Sequence, residues 1–336
     1  AQATIALAPL AQYYDGTPRV VPVTTAPAGL DVVLTYNGSA TTPTAPGSYT
    51  VAAAIDDPNY TGTSSDTLVV TTTALLRHAP SLHGGLDGSV QILTGENTTL
   101  NGSAWVSGDL LAPGTPAVRL HGNPIFAGII DGPRSVDPDT YQLTLNGNAV
   151  LRHLVRRTDP LPMPTVSAPP LPAGTRNVFL HAPTEAIGDF ATLRNLTLND
   201  NAGDHHVPAG TYGTFTANGQ SSFVLGETSA TTPAVYFLEG LELNAASRLQ
   251  LQGPVILVLP SSVTFNGHVN ADGDPEWLTV AVATGGVTLN GNVTFHGSVI
   301  APSGTITING QSPLTGTVVS DRLTINGDGL LVQPAP

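Results

Sequence analysis

An apolar residue followed by Asn, and usually by Gly, returns along the last three quarters of this 336-residue chain. It reads Leu100-Asn101-Gly102, Leu145-Asn146-Gly147, Leu198-Asn199, Phe265-Asn266-Gly267, Leu289-Asn290-Gly291, Ile308-Asn309-Gly310 and Ile325-Asn326-Gly327, with weaker copies at His121-Gly122-Asn123, Asn218-Gly219 and Leu243-Asn244. Successive beats lie 17 to 26 residues apart, except for one gap of 53 that must hide degenerate turns. Short β-prone runs such as Val287-Thr288-Leu289 and Thr305-Ile306-Thr307-Ile308 fill the intervals. Self-similarity at this period predicts a solenoid in which each coil rises by one strand spacing, so that equivalent residues stack into ladders. Asn suits such a ladder because its amide both donates and accepts, and Gly supplies the positive φ of a tight corner. Asn101, Asn146, Asn199, Asn266, Asn290, Asn309 and Asn326 are therefore read as a structural ladder.

Residues 1–73 differ. Strand-length runs at Val20-Val21-Pro22-Val23, Leu30–Tyr36, Ser48–Ala52 and Thr67–Val70 are separated by turn signals, which predicts a small antiparallel sandwich. The remainder, 74–336, carries the repeat and is interrupted at about 158–174 by Asp159-Pro160-Leu161-Pro162-Met163-Pro164 and Pro169-Pro170-Leu171-Pro172. Proline cannot donate to a ladder, so this stretch is expected to leave the stack as an extended strap across its outside.

The blocks Tyr14-Asp15-Gly16-Thr17-Pro18, Tyr36-Asn37-Gly38, Pro46-Gly47-Ser48-Tyr49-Thr50-Val51 and Asp57-Pro58-Asn59-Tyr60-Thr61-Gly62 resemble, in this order, the MBG family of immunoglobulin-like repeats of large bacterial surface proteins. The resemblance implies a spacer or adhesive module. Residues 198–331, from the Leu198-Asn199 beat through Val255–Val258 and Leu278–Val282 to Gly316–Ser320, resemble the bactofilin-like, polymer-forming β-helices of envelope proteins. The fold expected is all-β: an immunoglobulin-like sandwich followed by a right-handed parallel β-helix.

Composition narrows the function. Charged residues make up only 10% and the net charge is -13, so there is no basic stripe for nucleic acid to bind. No apolar run is long enough to cross a membrane as a helix. Cysteine and lysine are both absent, all eleven basic residues being Arg, which removes disulfides, thiol nucleophiles, Lys bases and Lys-Asn crosslinks. Ala1-Gln2-Ala3 reads as the mature start of a secreted protein.

Asp109, Asp131, Asp189 and Asp321 are scattered singly, which argues against a pectinase-type enzyme and its paired carboxylates. Asn270, Asp272, Asp274 and Glu276 alternate around Gly273, a spacing able to wrap calcium, although an Asp-Gly-Asp-Pro loop is equally an ordinary turn. His205 and His206 are adjacent and diverge on a strand, so they do not chelate one ion. Tyr13, Tyr14, Tyr36, Tyr49 and Tyr60 are either sandwich aromatics or glycan contacts of an adhesin. The leading expectation is an extracellular homopolymer, with Thr4, Ile5, Ala6 and Leu7 adding as a strand to a neighbour, and Leu330, Leu331 and Val332 forming an uncapped terminal coil.

Overall fold

The computed structural model describes residues 1–8, 10–13, 18–44, 47–132, 134, 141–158 and 161–334. Tyr14–Thr17, Pro46 and Asp159-Pro160, on which parts of the motif and strap readings rest, lie outside the described residues. The chain divides into two compact units, Ala1–Thr73 with Pro334–Pro336, and Ala74–Gln333.

In the first unit Val32–Tyr36, Gly47–Ile55 and Thr63–Thr71 pair antiparallel, and Ala11–Tyr13 adds in parallel to the last of these. A second, two-stranded sheet joins Thr4–Leu7 to Val23–Ala26 in antiparallel register. Val21, Tyr36, Val51, Leu68 and Val70 form the core between them. Thr4–Leu7 is thus a strand of its own unit, with Ile5 opposite Thr25, rather than a loose arm.

The second unit is a large, mostly parallel sheet in which each segment pairs with one about twenty residues further on. Three columns of strands recur. Val280, Val299 and Val318 stack in one, Leu289, Ile308 and Ile325 in the next, and Phe295, Leu314 and Leu331 in the third. All nine are fully buried, so every coil contributes the same inward positions to one continuous core. Burying a side chain of this size contributes roughly 1.5–3 kcal/mol, and repetition rather than any single cluster carries the stability. The outward position between two inward ones holds a β-branched residue, as in the row Thr264, Thr288, Thr307 and Thr324.

Chain order and stacking order differ. Strand Val318–Ile325 pairs on one edge with Ser298–Ile308 and on the other with Thr73–Leu76 and Ser81–Leu82, so the end of the unit is stacked against its beginning. Leu330–Val332 is likewise flanked on both edges, by Pro313–Thr315 and by Gly85–Asp87. The expectation that Leu330, Leu331 and Val332 form a free terminal coil is therefore wrong. Their backbone groups are consumed in two parallel ladders, and Leu331 is completely buried.

From that seam the stack continues through Leu110–Leu111 to Val150–Arg156, and Ile125–Asp131 lies outermost. Residues 142–156 thus slot between 98–111 and 117–131. At the opposite extremity stands Arg176–Leu180, paired on one edge with Leu193–Leu198.

The Pro-rich segment joins these two extremities. Thr158 N–H donates to Ala112 O (3.3 Å) at one end and Thr175 N–H to Thr192 O (3.0 Å) at the other. About ten strand spacings of ~4.8 Å, on the order of 48 Å, separate the anchors. The intervening chain, extended as polyproline at ~3.1 Å per residue, reaches about 53 Å. The row of outward residues that connects them runs through Leu111, Leu75, Val319, Ile300, Ala281, Val258 and Phe237, and it is buried or half-buried throughout. In the strap Met163, Val166, Pro169 and Pro172 are half-buried, every third residue, which is the period of a polyproline helix with one edge against a surface. Anchors, length and periodicity are those of a strap that runs along this row.

Candidate functional site

The Asn beat forms side-chain amide ladders on the corner of the stack. Asn326 Nδ2 donates to Asn309 Oδ1 (2.9 Å), Asn309 to Asn290 (2.9 Å) and Asn290 to Asn266 (3.2 Å). Separate pairs join Asn146 to Asn101 (2.7 Å) and Asn244 to Asn218 (3.0 Å). Asn199 instead donates to Leu180 O (3.3 Å) and meets His181 at 3.5 Å, so His181 occupies the Asn position one level down. The gap of 53 residues in the repeat hides this histidine copy and the strap. Gly291, Gly310 and Gly327, directly after the Asn, all adopt positive φ near 60–80°.

At the seam and in the coils beyond it, carboxylates that look isolated in sequence are paired between stacked strands. Asp321 accepts from Arg77 Nε at 2.8 Å, and His78 bridges toward Glu96 (3.2 Å). Asp109 is buried and accepts from Arg152 through Nε (2.6 Å) and Nη2 (2.8 Å), with His153 Nδ1 at 3.1 Å. Asp131 binds Arg156 in the same two-pronged way, and these hydrogen bonds hold its carboxyl below the usual carboxylate range. Asp189 caps the short 3₁₀ turn Phe190–Thr192. No sequence signal marks these partnerships, because they depend on stacking order.

The loop at 270–276 does not gather its oxygens. Asn270 Nδ2 donates to Asp274 O (2.9 Å) and His296 O (3.3 Å), presenting an N–H rather than an oxygen ligand. Asp274 caps the 3₁₀ turn Pro275–Trp277 by accepting from Glu276 N–H (2.9 Å). The Asp272 side chain is 93% exposed and lies 3.7 Å from Arg248. The calcium reading of Asn270, Asp272 and Asp274 is corrected accordingly: the loop is a turn whose polar groups cap its own backbone. Gly273 is required there, since a Cβ would come within 1.8 Å of Asn270 Oδ1.

Beside it, Asp204, Gln220, Ser222, Arg248 and Gln250 line a polar groove of about 420 Å³ on the outer face. Gln250 Nε2 reaches Ser222 Oγ (3.1 Å) and Asp204 Oδ1 (3.4 Å), fixing one wall. His206 meets Gly226 O (2.9 Å), and His205 is buried against Ala202 O (2.9 Å). In the first unit Tyr36 is a core residue whose hydroxyl accepts from Val21 N–H at 3.0 Å, so it is no glycan contact. Tyr49 and Tyr60 are half-buried, whereas Tyr14 and the side chain of Tyr13 lie outside the described residues.

The two extremities of the parallel stack are unlike. At the Arg176 end, Ile187 and Leu180 are buried in the core. Arg176 ties the covering segment down through Ile187 O (2.7 Å), Asp189 O (2.6 Å) and Thr192 Oγ1 (3.1 Å). This plug is a cap that the sequence did not disclose. At the other end nothing among the described residues covers the last coil. Leu120 and Ile129 occupy the core columns of Leu145 and Leu154, yet are 52% and 44% exposed.

Residues 3–74 match the family model of the MBG domain. No curated protein and no solved structure matches the chain. The match covers the first unit and supports the MBG-type reading of its motifs, a domain associated with surface proteins. No helix among the described residues is long and apolar enough to cross a membrane.

Proposed function

We propose that this chain is a structural subunit of an extracellular or cell-surface assembly, in which the parallel stack winds as a right-handed β-helix and copies associate without covalent bonds. The bactofilin-like character of residues 198–331 belongs to this reading. The observation that carries it is the seam: the beginning and end of the second unit are locked in register by Val319 with Leu75 and Leu331 with Leu86. The unit is thereby closed into one rod with its polar side chains committed to ladders and ion pairs. Such a rod serves as a rigid spacer or building block. The MBG domain supports a surface setting.

The carboxylates of the second unit support a non-enzymatic reading. Asp109, Asp131 and Asp321 are paired with Arg, and Asp189 and Asp274 cap short turns, so these five carboxylates have structural partners. A second reading, a glycan-binding surface, rests on the polar groove around Arg248 and on half-exposed Tyr49 and Tyr60.

Immunogold labelling of intact native cells with antibody to the second unit tests the proposal. Label on the surface or in extracellular material is expected; label confined to the cell interior rejects it. Glycan-array binding that Arg248→Ala abolishes would favour the second reading.

A further inference from the structure

Two cavities on the outer face of the stack share a wall. Arg248 and Gln250 line both the groove of about 420 Å³ that reaches Asp204, Gln220 and Ser222 and a smaller hollow of about 170 Å³ bounded by His268, Ala271 and Asp272. Register explains the continuity. Asp204 pairs with Ser222, Ser222 with Arg248 and Arg248 with His268, so these four form one row across successive coils, and Gln250 stands on the same face two residues beyond Arg248. At ~4.8 Å per coil the row spans about 14 Å, a length suited to a chain molecule lying along the stack rather than to a single small solute.

The two sides of the shared wall offer different chemistry. On the larger side Gln250 Nε2 is held by Ser222 Oγ (3.1 Å) and Asp204 Oδ1 (3.4 Å), which leaves Gln250 Oε1 and the second Asp204 oxygen as acceptors for hydroxyl groups. Ser222 is buried, so this wall is anchored in the coil. On the smaller side His268 Nδ1 accepts from Thr294 N–H (3.1 Å), so the neutral ring carries its proton on Nε2 and offers a donor. Arg248 stands beside it. Its one carboxylate within ion-pair distance among the described residues is Asp272, 3.7 Å away and 93% exposed, a contact that contributes little. Arg77, Arg152 and Arg156, by contrast, hold their carboxylates at 2.6–2.8 Å. A planar guanidinium without a close partner, next to an N–H donor, suits a carboxylate. Charge also limits how many carboxylates a ligand can carry: Asp204 and Asp272 lie on either side of Arg248 on a chain of net charge -13, which repels a ligand charged at every unit.

We propose that this double groove binds a glycan in which uronic acid and neutral sugars alternate. The uronate carboxylate sits on Arg248 and His268, and hydroxyls of the neutral sugar donate to Asp204 and Gln250. Such selectivity rests on the glycan-binding reading of the same surface, and adds to it the charge pattern of the ligand and the residue that reads it.

Isothermal titration calorimetry on the full chain tests this with three oligosaccharides of equal length: alternating glucuronic acid and N-acetylglucosamine, the same chain with its carboxyls reduced to primary alcohols, and a homo-oligomer of galacturonic acid. The alternating acid is expected to bind tightest, the other two roughly tenfold or more weakly. Arg248→Ala should bring the alternating acid down to the level of its reduced form, and Arg248→Lys, which keeps the charge without the planar fork, should restore only part of the difference. Asp272→Ala removes the competing carboxylate and should tighten binding of the alternating acid. Both positions are exposed, and circular dichroism checks that the variants fold. Equal binding of the acid and reduced forms, tightest binding of the galacturonate, or an acid preference that survives Arg248→Ala overturns the inference while leaving a glycan surface in place. Acetate or inorganic phosphate that displaces the oligosaccharide at comparable concentration reduces the site to one for any small anion and overturns it as well. No binding to any of the three also overturns it, and the glycan array then decides the broader reading separately.

Discussion

The side chain of Gln333 imitates a strand against Ser89: its Oε1 accepts the Ser89 N–H (2.9 Å) and its Nε2 donates to Ser89 O (2.8 Å). Ser89 in turn offers its Oγ to Asp109 N–H (3.0 Å), so one glutamine joins the last coil to the first two. Both Gln333 and Ser89 are buried, and no solvent stands ready to replace these bonds. Gln333→Ala orphans a buried N–H and C=O, and is expected to cost about 2 kcal/mol in urea-induced unfolding. Gln333→Glu keeps an acceptor but turns the donor into a second acceptor beside Ser89 O. It should be at least as destabilising at neutral pH, and a neutral outcome for both variants would remove the clamp from the account of the seam.

Asn309 stands in the middle of its ladder, donating to Asn290 and accepting from Asn326. It is half-buried, so water compensates in part, and Asn309→Ala is expected to cost ~1 kcal/mol. Asn326→Ala removes one of the same bonds. In the double variant that shared bond is lost once, so the combined loss falls short of the sum of the single losses by about 0.5 kcal/mol or more. Strict additivity, measured by denaturant midpoints at constant m-value, would show that the amides do not act as a ladder.

How much of this was legible in the chain depends on whether an interaction is local or belongs to the stack. The period of the repeat, the inward positions such as Leu289 and Ile308, the positive-φ glycines and the Pro-rich exit are local features, and the residues themselves carry them. The order of the coils is different. Nothing in Leu330-Leu331-Val332 distinguishes a terminal coil from one covered by Gly85-Leu86-Asp87, because both faces of a repeat look alike in sequence. The same reason concealed the Asp109–Arg152 and Asp321–Arg77 pairs and the open end at Leu120 and Ile129. The plug was hidden differently: Ile187 lies in a short segment, Thr184–Asp189, with no periodic pattern at all. The calcium motif misled through its spacing, which is equally that of a loop whose Asp274 caps a turn.

Cutting the strap separates connectivity from packing. A protease site inserted between Ser167 and Ala168, both exposed, breaks the covalent link between residues 74–157 and 176–333. The parallel ladders of the seam remain, so the nicked protein should co-elute as one species in native conditions. Its unfolding midpoint in urea should fall, because the cut chain gains conformational freedom when unfolded and loses the cover over the Val319–Phe237 row. Nicked halves that drift apart in buffer would mean that the strap, and not the seam, holds the stack together.

Alkaline pH probes the core near the other end of the stack. Tyr212 packs against Phe215 with ring centroids 5.1 Å apart, and its hydroxyl donates to Pro208 O at 2.9 Å. Burial pushes its phenol up to about 12, with the neighbouring Tyr236 adding to the effect. The phenol of Tyr236 is raised too, chiefly by burial, although its hydroxyl accepts from Gly226 N–H while donating to Val207 O. An unfolded tyrosine ionises near ~10. Below that pH both states keep the proton and stability is unaffected by these groups. Between ~10 and about 12 the unfolded chain releases protons that the folded protein retains, which favours unfolding, so stability falls as pH rises through this window. Melting temperatures measured from pH 8 to 12 should therefore hold steady and then drop above about 10. Tyr212→Phe removes one titrating phenol along with its bond to Pro208. It should melt lower than wild type at pH 8 by the loss of that bond, yet decline less steeply above pH 10. An alkaline slope unchanged by the substitution would show that Tyr212 ionises in the folded protein as freely as in the unfolded chain.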